Sequence, residues 1–207
     1  MAISHVQPSR ALVRCCSHGV RARRGKACNA STPVRSAREE GIAALVGIGL
    51  LMQFRRALES EAQVLSEIAF KSKAHWPYSP AQLAAWRKDL TVTRETISTN
   101  PTYVVEIETK VVAFFVIAPM SENWRLEHFW VLPSSMGRGI GRALLKHAVC
   151  IATQGGAMAL EIDADPNAEP FYLACGARKV GSVAASIEGL PNRERPQMLI
   201  PIEQPDH

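Results

Sequence analysis

Three glycines spaced two apart, Gly137, Gly139 and Gly141, follow the β-rich run Leu126-Glu127-His128-Phe129-Trp130-Val131 after five intervening residues. They stand directly before Arg142-Ala143-Leu144-Leu145, where an apolar helical period begins. The order reads as a strand, a glycine-rich turn and a helix start. Such a turn presents unpaired backbone N–H groups at the positive end of a helix, where a phosphate can sit. A glycine turn by itself is weak evidence, because it also serves merely to join strand to helix. A second signal follows: Asn167-Ala168-Glu169-Pro170-Phe171-Tyr172, then Gly176. Together the two point to a chain that holds a pyrophosphate-bearing acyl carrier.

These residues need elements to position them. Gln53–Ala57 is β-rich, and Leu58–Ser72 carries Val64, Leu65, Ile68 and Ala69 at helical spacing. The loop Lys73-Ala74-His75-Trp76-Pro77-Tyr78 follows. Ser79-Pro80-Ala81-Gln82 is a helix start, with Ser at the cap, Pro at the first helical position and Gln three residues on. Leu83, Trp86 and Leu90 share one face of that helix, and Thr93 caps a further turn. Strands fit Tyr103–Glu108 and Val111–Ile117, with a hairpin at Thr109-Lys110, and a third fits Arg125–Val131. A helix over Gly139–Thr153 buries Ile140, Leu144, Leu145, Ala148 and Ile151, and ends at Gly155-Gly156. Met158, Leu160 and Ile162 alternate with Ala159, Glu161 and Asp163, as in a half-buried strand. A short helix occupies Ala168–Cys175, with Gly176 a left-handed cap. Two closing strands fit Lys179–Ile187 and Gln197–Ile202, with Pro191 and Arg193-Glu194-Arg195 in the turn between them. The order β-α-α-β-β-β-α-β-α-β-β, without internal repeat, predicts an α/β (mixed α+β) fold: one mixed sheet with helices on both faces.

Charge divides the chain. Of its 207 residues, the first 51 hold eight Lys/Arg against two Asp/Glu, whereas residues 52–207 hold sixteen against seventeen. The sequence pI near 9.1 therefore belongs to the front segment, and the near-neutral remainder argues against nucleic acid as a partner. Residues 1–38 carry eight basic residues, several Ser and Ala, and no acid, the composition of a transit peptide, an unstructured tail or translated upstream sequence. Residues 1–51 are read as an extension, with Met52 opening the domain that runs to residue 207. The apolar run Gly41–Leu51 is too short to span a bilayer, so no membrane is expected. The five cysteines are odd in number and form no metal or disulfide spacing; Cys150 and Cys175 read as small buried hydrophobes. A reducing compartment, the cytoplasm, is expected, with organelle import as the alternative that the basic front segment leaves open.

From Met52 to Ile202 the chain resembles the GNAT superfamily of N-acetyltransferases. Gly139 and Gly141 match that family's carrier-binding signature, with Met136 where Gln or Arg is usual, and Asn167, Phe171, Tyr172 and Gly176 match its later motif. The resemblance implies a seven-stranded mixed sheet, splayed between the strands at Leu126–Val131 and Met158–Asp163, with acetyl-CoA in the splay and no metal. It implies that Phe129, Trp130 and Val131 pair with pantetheine through their backbone. It assigns the pyrophosphate to Met136, Gly137, Arg138, Gly139, Ile140, Gly141 and Arg142, and further carrier contacts to Asn167 and Phe171. Trp130 equally fits packing, and Asn167 equally fits a helix cap.

Acetyl transfer to an amine poses two proton problems. A lysine-type amine is on the order of one part in a thousand neutral at pH 7, so it must lose a proton before attack. The leaving thiolate must gain one. The resemblance places the Tyr172 hydroxyl beside the thioester sulfur as donor, against a plain packing role beside Phe171. Glu127 and His128 are the candidates on the central strand; simple alternation sends them to opposite faces, and Glu127 is preferred as base, with His128 either on the acceptor side or a satisfied, half-buried histidine. In such enzymes the loop holding His75, Trp76 and Tyr78 walls the acceptor pocket, which here suits a small amine or an amino acid or peptide amine. A homodimer is common in the family resembled. Two rival readings stand beside the enzyme: a non-catalytic acyl-CoA-binding module on the same fold, and a nucleic-acid-associated protein using its basic front segment.

Overall fold

The computed structural model describes residues 52–203. The expectations for residues 1–51, including Cys15, Cys16 and Cys28, lie outside the described residues. A single seven-stranded sheet takes the order β1-β2-β3-β4-β5-β7-β6. Its strands are β1 (Met52–Arg56), β2 (Thr102–Ile107), β3 (Lys110–Ala118), β4 (Asn123–Val131), β5 (Ala159–Asp163), β6 (Arg178–Ala184) and β7 (Glu194–Pro201). Neighbours are antiparallel except β4 and β5, which run parallel.

Helices cover both faces. On one lie α4 (Ile140–Gln154) and α5 (Glu169–Ala174), over a core that includes Ala113, Phe115, Ile117, Leu144 and Leu160. On the other lie α1 (Ala62–Lys73) and α3 (Arg94–Thr99), over Leu65, Ile97, Val104, Phe114 and Val116. The alternate residues of β3 thus feed two cores, which is why its sequence is a continuous apolar run rather than an alternating one. Phe114 and Phe115 are both fully buried, one to each face.

Local signals work as their chemistry dictates. The Ser79 hydroxyl accepts from Gln82 N, and the Gln82 side chain accepts from Ser79 N, closing a capping box on α2 (Pro80–Ala85). That helix stops at Ala85, so Trp86 and Leu90, expected on one face of it with Leu83, lie beyond its end, although Leu90 still reaches the core beside α1. Thr93 caps α3 by accepting from Thr96 N. The β2–β3 hairpin turns on Glu108 and Thr109, both at positive φ. Two burial expectations fail. Met158 precedes β5 and is 54% exposed, and Cys150 on α4 is exposed. β7 begins at Glu194, so Glu194 and Arg195 belong to a strand rather than to the turn.

The parallel pair β4–β5 is joined by only three rungs, Asn123↔Ala159, Trp124↔Leu160 and Arg125↔Glu161. Beyond them the strands part. Trp124, on the middle rung, packs its ring over Gly155 at the end of α4. A β-carbon on Gly155 would lie 2.0 Å from that ring, so only glycine fits.

Candidate active site

Where β4 and β5 diverge they enclose a cavity of about 440 Å³. One wall is β4, through Leu126, Glu127 and Phe129–Val131; the facing wall is Ile162 to Asp165, continuing through Asn167 and Ala168 to Phe171 and Tyr172. The floor is the turn after β4, with Met136, Gly137, Gly139, Gly141 and Arg142, while Ser72 and Trp76 close the side toward α1.

The turn is built for an anion. Gly137 and Gly139 take φ +72° and +79°, the left-handed region that costs other residues about 1–2 kcal/mol. Gly139 caps α4 with no side chain to satisfy the first helical N–H groups. The Met136 N–H donates to Pro133 and the Ala143 N–H to Gly139. Between them, among the described residues, the N–H groups of Gly137 to Arg142 have no acceptor and cluster at the positive end of a four-turn helix. Gly141 has another use. A β-carbon there would come 3.3 Å from the Phe171 ring, so its smallness seats Phe171 against α4. Ile140 faces the core, and Arg138 is exposed off the cavity wall. Arg142 lines the cavity while its Nη1 donates to the Ala174 carbonyl at 3.0 Å.

Tyr172 is only 5% exposed, yet it lines the cavity. Its ring sits 5.2 Å from Phe171 and 6.0 Å from Phe129, centroid to centroid. Burial above all, then the nearby Cys175 and Asp165, pushes its phenol well above the usual range, so the hydroxyl keeps its proton. Among the described residues no protein group is hydrogen-bonded to that hydroxyl.

A bulge sorts the residues of β4. Val116 of β3 pairs with His128 and Ile117 pairs with Leu126, which leaves Glu127 as an extra residue without a partner across the ladder. Simple alternation is broken there. Leu126, Phe129 and Val131 join the core under α4, while Trp130 packs under α1. Glu127 is exposed and lines the cavity. His128 lies off the cavity wall, its ring 6.1 Å from Phe114. Its Nδ1 accepts from Trp130 Nε1 at 3.2 Å, and burial lowers its pKa to about 4. It is therefore a neutral, half-buried histidine at pH 7. On the other edge Leu126–Val131 have no β5 partner, so this edge of β4 is open to the cavity. The Val131 carbonyl already accepts from the Ser72 hydroxyl at 2.9 Å.

Of the loop after α1, Trp76 reaches the cavity wall, and His75 is exposed with its ring edge-on to Trp76. Tyr78 stands behind the wall, its hydroxyl bound to Asp165 at 2.8 Å. Asp165 escaped the reading of the sequence. It also accepts from the Lys73 ammonium and from Arg193 Nη2. Asp-Pro-Asn at 165–167 is a capped turn start, with Asp165 accepting from Asn167 N, and that signal was available. Its partners 92 and 28 residues away were not. Among the described residues no group of three His, Cys, Asp or Glu side chains converges as a metal site, and no helix is long and apolar enough to cross a membrane.

Residues 63–177 match the Acetyltransferase (GNAT) family, and the chain belongs to it. Among solved structures, a GCN5-related N-acetyltransferase from Rhodopseudomonas palustris superposes with TM-score 0.62 at 23% identity, over 73% of this chain and 96% of that one. The ribosomal-protein-S18-alanine N-acetyltransferase of Escherichia coli gives TM-score 0.58 at 16% identity, over 75% and 97%. The PaiA N-acetyltransferase of Thermoplasma acidophilum, in complex with coenzyme A, gives 0.57 at 16% identity, over 72% and 98%. No curated protein matches the sequence.

Proposed function

We propose that the chain transfers an acetyl group from acetyl-CoA to a primary amine of a small molecule, amino acid or peptide, by direct attack in a ternary complex. The observation that carries this is the run of unpaired N–H groups from Gly137 to Arg142 at the floor of a cavity that Tyr172, with its protonated phenol, also lines. Bound acetyl-CoA would supply an activated acetyl thioester. The N–H cradle suits its pyrophosphate, with Arg142 adding a charge-assisted contact. The open edge of β4 at Phe129 and Trp130 suits an amide-bearing arm, which it binds as a further strand.

Proton traffic is divided between the two walls. Glu127, on the bulge, accepts the proton that the acceptor ammonium must lose, directly or through one water. Tyr172 holds the proton that the departing thiolate needs, and its raised pKa keeps that proton in place until a basic sulfur is generated. Trp76 and the Glu127 carboxylate line the acceptor side and favour an amine over an anion. His128 takes no part in that transfer; we assign it to packing.

The test is acetyl-CoA with a panel of amines, following release of free thiol. Acetyl-CoA-dependent thiol release with at least one amine is the expected result. Thermal stabilisation by acetyl-CoA with no turnover on any amine would instead identify a carrier-binding module. Neither stabilisation nor release would overturn the reading.

A further inference from the structure

Asp165 is where three distant segments meet. Its carboxylate accepts from Lys73 at the end of α1, from the Tyr78 hydroxyl at 2.8 and 3.0 Å, and from Arg193 Nη2 at 3.3 Å. It also accepts from the main-chain N and the Nδ2 of Asn167, each at 2.9 Å. The Lys73, Arg193 and Asp165 side chains are 9%, 7% and 11% exposed. Lys73 and Arg193 also lie over the Tyr78 and Trp86 rings. With its lone pairs taken, Asp165 has no capacity left to act as a base, although it lines the cavity.

Its effect reaches the cavity through Asn167. The Asn167 amide nitrogen has two hydrogens; one goes to Asp165 Oδ1 and the other to the Tyr78 oxygen, 3.1 Å away. The chemistry of these partners fixes the amide's orientation. Asp165 only accepts, and Tyr78 spends its own proton on Asp165, so both demand a donor from Asn167. The nitrogen must face the network, and the carbonyl oxygen is the atom left over. Asn167 is exposed on the cavity wall.

We propose that Asp165 is a positioning residue: with Tyr78 it locks Asn167 so that its carbonyl oxygen accepts an N–H from the amide-bearing arm of the carrier. Lys73 and Arg193 hold the carboxylate charged in its buried place. The proposal rests on the acetyl-CoA reading above.

Calorimetric titration of acetyl-CoA into the full chain tests it, using Asp165→Asn, Asn167→Ala and the double variant. Each single change is expected to weaken binding by about tenfold, with the double variant no weaker than Asn167→Ala, because both act through one contact. Losses that add, or unchanged binding in Asp165→Asn, would overturn the positioning role while leaving the carrier reading intact. No binding by the unaltered chain would overturn both. Should Asp165→Asn fail to fold, Tyr78→Phe carries the same cycle, since it removes one partner of the Asn167 amide without unpairing Lys73. Tyr78→Phe is expected to weaken binding about threefold in the parent chain and not at all in Asn167→Ala; additive loss there is equally fatal.

Discussion

The two sides of the β4–β5 cavity are made of different materials. Its floor is main chain from one short segment, Gly137 to Arg142, ordered by two left-handed glycines and a helix start. Its opposite side is assembled from side chains of separate segments: Ser72 and Trp76, the bulged Glu127, and the Asp165 network that draws in Lys73 and Arg193. Backbone N–H groups are the same whatever side chain they carry, so the floor depends on conformation and little on residue identity. The other side depends on every identity and on contacts between remote parts of the chain. On the function proposed above, the floor would hold the co-substrate, and side chains that do not hold the floor in place could change without disturbing it.

Changes on each side should separate these dependences. Tyr172→Phe, at the junction of the two, is expected to lower kcat by about 100-fold to 10,000-fold with acetyl-CoA affinity nearly unchanged, read by steady-state kinetics and calorimetry. Equal turnover would remove the phenol from proton transfer. On the side built from side chains, Lys73→Met should cost about 3 kcal/mol in denaturant unfolding, because it takes one cation from a buried carboxylate that keeps Arg193.

Next in size is an acid effect from the strand between the sides. The pKa of His128 is lowered to about 4 by burial, so between that value and the ordinary 6.5 the unfolded chain binds the extra proton. Stability is therefore complete above about pH 6.5 and falls as pH drops toward 4, by about 3 kcal/mol from this residue. Unfolding of His128→Asn across that range should lack this component. The smallest effect belongs to the floor. Gly139→Ala should cost about 1–2 kcal/mol in stability from its left-handed φ, with carrier binding weakened in proportion to the misplaced N–H groups.

The same division explains what could be read from the chain. Wherever a feature is local, residue order carries it: the Ser79–Gln82 capping box, the β3 run and the glycine turn are each specified within a few neighbours. The seven strands and the helices on both faces followed from those signals together with the family resemblance. What local order could not carry were the consequences of pairing. The bulge at Glu127 exists only against β3, and it overrides the strict alternation that would set Glu127 and His128 across from each other. Arg193 does stand in the turn before β7, but its burial depends on Asp165, Trp86 and Tyr78, which come from elsewhere. Met158 fitted the alternating pattern of β5 but lies one residue outside the ladder.

Trp124 and Gly155 give the parting of the two strands a fixed vertex. An indole wedged on a residue with no side chain acts as the stop of a hinge that cannot slide: the next rung toward the cavity, at Arg125↔Glu161, is the last, and the gap widens from one unmoving point. Room for a bulkier acyl unit or acceptor must therefore be found by carving the far ends of the walls, because prying at the apex would first have to dislodge the largest aromatic side chain from its seat.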